Sequence, residues 1–85
     1  MNHIPVGHFN LVIKRNLPSL PLINVFFSPK EYKGEYVARL FYEDVPTPYI
    51  AVKHDLDSIR KVIPSDLVRF PGTIEDEEHL VESWV

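Results

Sequence analysis

The stretch that decides the fold is residues 35–42, EYVARLFY. Successive side chains of an extended chain point to opposite faces, so Tyr36, Ala38, Leu40 and Tyr42 share one face. Both charged side chains of the stretch fall on the other face. Period-two alternation with charge on one side is typical of a half-buried strand in an antiparallel sheet. We therefore predict a sheet with one face on the core.

Three further strands are predicted around this one. Residues 9–15 and 22–28 are rich in apolar and β-branched side chains, and residues 49–53 follow a proline-containing turn at 43–48. Connections this short predict an antiparallel meander. Residues 1–8, which contain a proline and a glycine, are predicted to be an irregular lead-in.

The period changes at residue 54. Leu56, Ile59 and Ile63 are spaced i, i+3, i+7, which predicts a short helix over residues 54–64 with Asp55 as its N-cap. A helix of this length is not stable alone. We therefore expect its apolar stripe to pack on one face of the sheet.

The C-terminal part of the chain is less regular. Residues 67–70 predict a short strand and residues 73–78 a capped helical turn. Residues 79–85 either continue that helix or form a last strand, and their alternation favours the strand. The sequence thus predicts one α+β domain over residues 1–85. It consists of a meander of four or five antiparallel strands with one short helix on one face.

Length and composition bound the class of protein. A chain of 85 residues with 45% apolar side chains forms one small domain. The absence of cysteine excludes disulfides, thiolate metal sites and thiol nucleophiles, and it favours a reducing compartment, so we expect a cytoplasmic location. The first ten residues do not resemble a signal peptide, and the apolar run 17–27 is too short and too interrupted for a membrane span.

The net charge of −3 is unevenly distributed. Residues 1–65 hold eight basic and six acidic side chains, whereas residues 66–85 hold one basic and six acidic. The segment 73–85 is therefore acidic. Its four consecutive carboxylates exceed what helix capping needs. They are Glu75, Asp76, Glu77 and Glu78.

A cluster of carboxylates beside apolar anchors can bind a basic protein surface, with Trp84 as a hot spot that contributes much of the binding free energy. The leading hypothesis is therefore a small cytoplasmic protein-interaction module without catalysis, whose partner surface is Glu75–Glu78 and Trp84. The other interpretation of the same residues is a solvated helical turn with Trp84 in the core.

A nucleic-acid-binding domain is the alternative function. Basic residues alternate with aromatic ones in the first hairpins, and such an arrangement can neutralise phosphates and stack bases. These basic residues are Lys14, Arg15, Lys30 and Lys33. The order of three strands followed by a helix resembles small antitoxin-like domains that cap a toxin ribonuclease, at the level of fold alone. The negative net charge and the absence of a dense basic stripe argue against nucleic acid as the partner.

Catalytic, cofactor and metal sites are not predicted. The serines lack a Gly-x-Ser-x-Gly elbow, and the three glycines are isolated, so no phosphate-binding loop is present. His54, Asp55 and Asp57 have the chemistry of metal ligands, as do His3 and His8. The first group does not converge at its spacing, and its carboxylates already serve the start of the helix.

The outer face of the central strand raises the question of a partner. Val37 and Phe41 fall on that face and need a cover. A second copy of the chain, bound through a sheet edge or face, would supply it. The competing explanation is a C-terminal segment that folds back over the sheet.

Overall fold

The computed structural model of the chain describes residues 3–13, 20–43, 45–71 and 79–85. Its strands are β1 (Ile4–Pro5), β2 (Pro21–Phe27), β3 (Tyr36–Tyr42), β4 (Val45–Lys53), β5 (Arg69–Pro71) and β6 (Leu80–Trp84). The α-helix α1 spans Leu56–Arg60, and a 3-10 helix spans Phe9–Leu11.

The strands form one sheet in the order β1-β4-β3-β2-β6-β5. The predicted antiparallel meander is present as β2, β3 and β4, and β6 and β5 continue it antiparallel beyond β2. The domain is therefore a small sheet with one short α-helix, compatible with the predicted α+β class. The prediction of four or five antiparallel strands is wrong, because the sheet has six strands and is mixed.

The sixth strand comes from the segment predicted to be an irregular lead-in. β1 pairs parallel with β4, with Ile4 opposite Tyr49 and Pro5 opposite Ile50. The amide of Val6 extends this contact by donating to the carbonyl of Ile50 at 2.8 Å. Proline is tolerated here because β1 is an edge strand. A ladder of two residues is too short to leave an alternation in the sequence.

The strand predicted over residues 9–15 is wrong in its described part. Residues 9–11 form the 3-10 helix, and the side chain of His8 caps it by accepting from the amide of Asn10. Phe9 is fully buried, and its amide donates to the carbonyl of Val62 at 2.9 Å. A turn lets Phe9 and Ile13 both reach the core, and this burial outweighs the local preference for a strand.

The other predicted elements are close to those observed. β2 and β3 lie within one residue of the predicted bounds, and β5 is displaced by two residues at its start. β4 begins at Val45, so part of the predicted turn at 43–48 is strand. Residues 80–84 form β6, as their alternation favours. The helical turn predicted at 73–78 lies outside the described residues.

α1 is shorter than the predicted helix but starts where expected. The carboxylate of Asp55 accepts from the amide of Ser58 at 2.7 Å, so the predicted N-cap is confirmed. This hydrogen bond to the charged form is the main reason that the pKa of Asp55 lies below its usual value.

The core lies on one side of the sheet, which we call the covered face. α1, the turns after it and the 3-10 helix pack there against the middle strands. Ala38 and Leu40 are fully buried on this face, and Tyr36 and Tyr42 pack beside them, as the alternation of residues 35–42 predicts. The opposite side, the open face, has no helix packed on it in the described part of the chain.

Candidate functional site

The open face holds a cavity of about 300 Å³ near the connection between β2 and β3. Four residues of the strands line it: Phe26, Val37, Arg39 and Ile50. The remaining lining residues are Pro29, Lys30, Glu31 and Tyr32 of the connection, together with His3 and His79. The β2–β3 connection of the same chain thus helps to cover Val37, which the sequence placed on an outer face in need of a cover.

Two residues with left-handed backbone fix the shape of the β2–β3 connection. Ser28 has φ 53° and Gly34 has φ 79°. The amide of Ser28 donates to the carbonyl of Glu35 at 2.8 Å, and the amide of Gly34 donates to Oγ of Ser28 at 2.9 Å. The connection is therefore closed on itself, with residues 29–32 over the open face.

Arg39 is the central charged group of the cavity. Its Nη2 donates to Nε2 of His3. A guanidinium can only donate, so Nε2 of His3 is the acceptor of this contact. Nδ1 of the same ring lies 3.4 Å from the hydroxyl of Tyr32 and 3.6 Å from Oε2 of Glu31. Within the described ranges no carboxylate oxygen lies within 4.0 Å of the Arg39 guanidinium.

A second charged cluster lies on the covered face. Glu82 is 1% exposed, and both of its oxygens accept hydrogen bonds from Arg60, at 2.7 and 3.1 Å. Nε1 of Trp84 donates to the same carboxylate at 2.8 Å, and Nη1 of Arg69 lies 3.7 Å away. This carboxylate joins α1 to β6. Because it already accepts three hydrogen bonds, we do not assign it a role as a general base or a metal ligand.

The pKa of Glu82 reflects this environment. Burial by itself raises the pKa, but the hydrogen bonds from Arg60 and Trp84 and the nearby positive charges outweigh burial and hold the pKa below its usual value. The hydrogen bond to Glu82 likewise raises the pKa of Arg60. The pair is therefore ionised at neutral pH.

Three exposed apolar side chains meet at the β5 side of the open face. Val68, Phe70 and Val85 are 59%, 51% and 48% exposed, and we call them the apolar triad. Val68 and Val85 exchange backbone hydrogen bonds of 2.8 and 3.0 Å, so they are direct neighbours. Phe70 lies opposite Ser83, whose hydroxyl donates to Asn24 across β6 and β2. This pairing places the triad on the same face as Asn24.

Both edge strands of the sheet are short. β1 has two residues and ends at Pro5, and β5 has three residues and ends at Pro71. Short edges that contain proline resist pairing with another strand. Exposed apolar surface of the sheet is thus offered by its open face more than by its edges.

The predicted partner surface is only partly described. Trp84 is half-buried, packs against the core and donates to Glu82, which matches the interpretation of this residue as core. The predicted acidic residues lie outside the described residues, in the connection between β5 and β6. They are Glu75, Asp76, Glu77 and Glu78.

Two of the four residues of the nucleic-acid alternative lie in the described part of the chain. Lys14 and Arg15 lie outside the described residues. Lys30 and Lys33 are both exposed on the β2–β3 connection, but only Lys30 lines the cavity. The alternative stays a prediction.

The histidine and carboxylate groups considered as metal ligands are dispersed. His54 lies 3.2 Å from Glu35, His8 caps the 3-10 helix, and His3 contacts Arg39. Among the described residues no three His, Asp or Glu side chains stand close enough to hold a metal ion. In the same part of the chain, no helix has the length and apolar character needed to cross a membrane.

Sequence reasoning missed the cavity, the apolar triad and the role of Glu82. Arg39 was visible as a charged position on the outer face of residues 35–42, but its partner His3 is 36 residues away. Glu82 lies two residues before Trp84 in an alternating segment, and this local pattern does not predict the ion pair with Arg60, which is 22 residues away.

Comparison of the chain with protein-family models, curated proteins and solved structures gives no match.

Proposed function

We propose that this chain is a small protein-interaction module without catalytic activity, and that its contact surface is the apolar triad together with the acidic connection of residues 72–78. The observation that carries the proposal is the exposure of Val68, Phe70 and Val85 side by side on the open face. Single exposed apolar residues are ordinary on protein surfaces. An adjacent group on an uncovered sheet face is typical of a binding surface.

The acidic connection defines the chemistry of the partner. Pro71, which precedes it, follows Phe70 directly, and Leu80 begins the strand that runs on to Val85. Along the chain, only Pro71 separates Phe70 of the triad from the segment that carries the four carboxylates. A partner with an apolar patch bordered by basic residues complements this surface in both respects.

A second copy of the chain fits this surface less well. In a symmetric dimer centred on the triad, each copy would bring its own acidic connection to the interface. Like charges would then meet, and the contact would have no charge complementarity. Pairing through the sheet edges is opposed by the short strands β1 and β5. We therefore assign the surface to a different protein.

Trp84 is not part of the proposed surface. Its indole N–H is already bound to Glu82, and its ring packs on the covered face. The sequence assigned the role of apolar anchor to Trp84, and we assign it to the triad instead. A contact residue must be exposed before binding so that the partner can bury it.

The test is affinity purification with four versions of the chain, followed by reconstitution with the purified partner. The versions are the wild type, the double variant Val68→Ser/Phe70→Ser, a variant with residues 75–78 all serine, and the control Leu11→Ser. Leu11 is the matched control because it is 78% exposed and lies in the 3-10 helix, apart from the triad. Circular dichroism verifies that each variant is folded.

We expect the double variant to bind the purified partner at least about tenfold more weakly, since interface hot spots contribute about 2 kcal/mol or more. The serine variant of 75–78 should bind more weakly and lose the salt dependence of the affinity. Leu11→Ser should bind like the wild type. The proposal is overturned if no protein is retained specifically, or if the triad variant binds as tightly as the control. A dimer of the wild type that Phe70→Ser dissociates would assign the surface to a second copy instead.

A further inference from the structure

The open-face cavity differs from the triad in shape and in charge. It is concave, with a volume of about 300 Å³, and a half-buried guanidinium lies in its lining. A guanidinium in such a place is normally paired with a carboxylate, because removing it from water without a partner is costly. The described partner of Arg39 is instead a ring nitrogen of His3.

Glu31 does not neutralise Arg39. Its carboxylate is 72% exposed and stands 3.6 Å from Nδ1 of His3, on the far side of the imidazole ring from the nitrogen that Arg39 contacts. Lys30 adds a second positive charge to the lining. Among the described lining residues two side chains are positive, Arg39 and Lys30, and one is negative, Glu31. The guanidinium has N–H donors besides the one that contacts His3.

The rest of the cavity is apolar. Val37 and Ile50 are almost fully buried there, and Phe26 and Pro29 complete an apolar wall. Tyr32 contributes an aromatic ring and a hydroxyl. Pockets for small molecules commonly combine an apolar lining with a few polar groups that fix orientation, and a volume near 300 Å³ is at the small end of that range.

We propose that this cavity binds a small organic anion, namely an oxyanion group joined to a compact apolar body. The oxyanion pairs with Arg39 and Lys30, and the body lies against Phe26, Val37 and Ile50. A planar guanidinium fork suits a carboxylate and a phosphate monoester alike, so the shared chemistry is the oxyanion.

His3 acts as a positioning residue in this proposal. By accepting from Nη2 it holds the guanidinium over the cavity, and its own Nδ1 is directed toward Tyr32 and Glu31. Two parts of the chain, the segment before β1 and the β2–β3 connection, thereby define one side of the site. The proposal is argued from Arg39 and the apolar wall, and none of the three triad residues lines the cavity.

The test is a titration of the ¹⁵N-labelled protein at constant ionic strength, followed by two-dimensional NMR. The probes are 4-phenylbutyrate and phenyl phosphate, and the uncharged control is 4-phenylbutyramide. We expect saturable shifts of the backbone amides of Val37, Arg39 and Ile50 with at least one of the anions. Saturation by the carboxylate alone, the phosphate alone or both identifies the source of the oxyanion. The amide should bind at least about tenfold more weakly.

Two substitutions of Arg39 separate binding from folding. Arg39→Gln should weaken binding of the anion at least about tenfold, and Arg39→Lys, which keeps the charge without the fork, should weaken it less. Lys53→Gln is the control, because Lys53 is exposed and does not line the cavity. The proposal is overturned if neither anion gives saturable shifts, if the amide binds as well as the anions, or if folded Arg39→Gln and Arg39→Lys both bind like the wild type.

Discussion

At the scale of single residues, the most constrained group in the described structure is Glu82. It is the one charged or polar residue that is buried in the described core, and its carboxylate accepts three hydrogen bonds from Arg60 and Trp84. A buried carboxylate is tolerated only when it is paired, so the domain depends on these donors.

Arg60→Met should therefore destabilise the protein. The substitution keeps the length of the stem but removes two of the three hydrogen bonds to Glu82, and we expect a loss of about 2–3 kcal/mol in the free energy of unfolding. Urea denaturation at neutral pH measures it. Lys61→Met is the matched control, since Lys61 is the adjacent exposed residue, and it should change the stability by less than about 0.5 kcal/mol. Equal effects of the two variants would contradict the structural role of the pair.

The same carboxylate should make the stability depend on pH. Because the pKa of Glu82 is lower in the folded protein, its contribution is present above the pKa of a glutamate in the unfolded chain, about 4.3, and is lost as the pH falls through the lower folded value. The wild type should thus lose more stability than Glu82→Gln between about pH 6 and pH 3. Thermal unfolding at a series of pH values measures both. Parallel curves would show that Glu82 does not carry this dependence.

At the scale of elements, the β2–β3 connection sets the shape of the cavity. Its closure requires left-handed backbone at Gly34, where φ is 79°. This requirement is independent of side-chain packing, because no heavy atom beyond the two neighbouring residues lies within 4 Å of the place that a Cβ would take.

Gly34→Ala should cost about 1–2 kcal/mol of stability through the backbone alone. Gly7→Ala is the control, because its surroundings are equally open and its φ is not in the left-handed region. That variant should be neutral or slightly stabilising. Chemical denaturation of both variants tests the difference, and an equal stability of the two would contradict the conformation of the connection.

Elements were predictable from sequence where their signals are local. Residues 35–42 alternate strictly, and Asp55 precedes a helical stripe, so β3 and the start of α1 were found correctly. β1 was missed because its two residues gain their conformation from pairing with β4. The strand predicted at Phe9 is a 3-10 helix, because its apolar residues fit either structure and burial in the core decides between them.

At the scale of the whole molecule, the covered and open faces of the sheet carry different features. The covered face holds the core and the Glu82 pair, while the open face holds the cavity at one place and the apolar triad at another. The sequence predicted an outer face in need of a cover and an acidic C-terminal segment. It could not predict which apolar residues stay exposed, since the exposure of Phe70 depends on β5 being the last strand of the sheet.

The most direct measurement of the central claim is an NMR map of the ¹⁵N-labelled chain bound to its purified partner protein. We predict that the largest changes in the amide signals fall on Val68, Phe70, Ser83 and Val85, with the amides of residues 75–78 also affected. Amides of α1 and the 3-10 helix should change little, because they lie across the sheet on the covered face. Changes concentrated on α1 and the 3-10 helix, with the triad unaffected, would contradict the assignment of the open face as the partner surface.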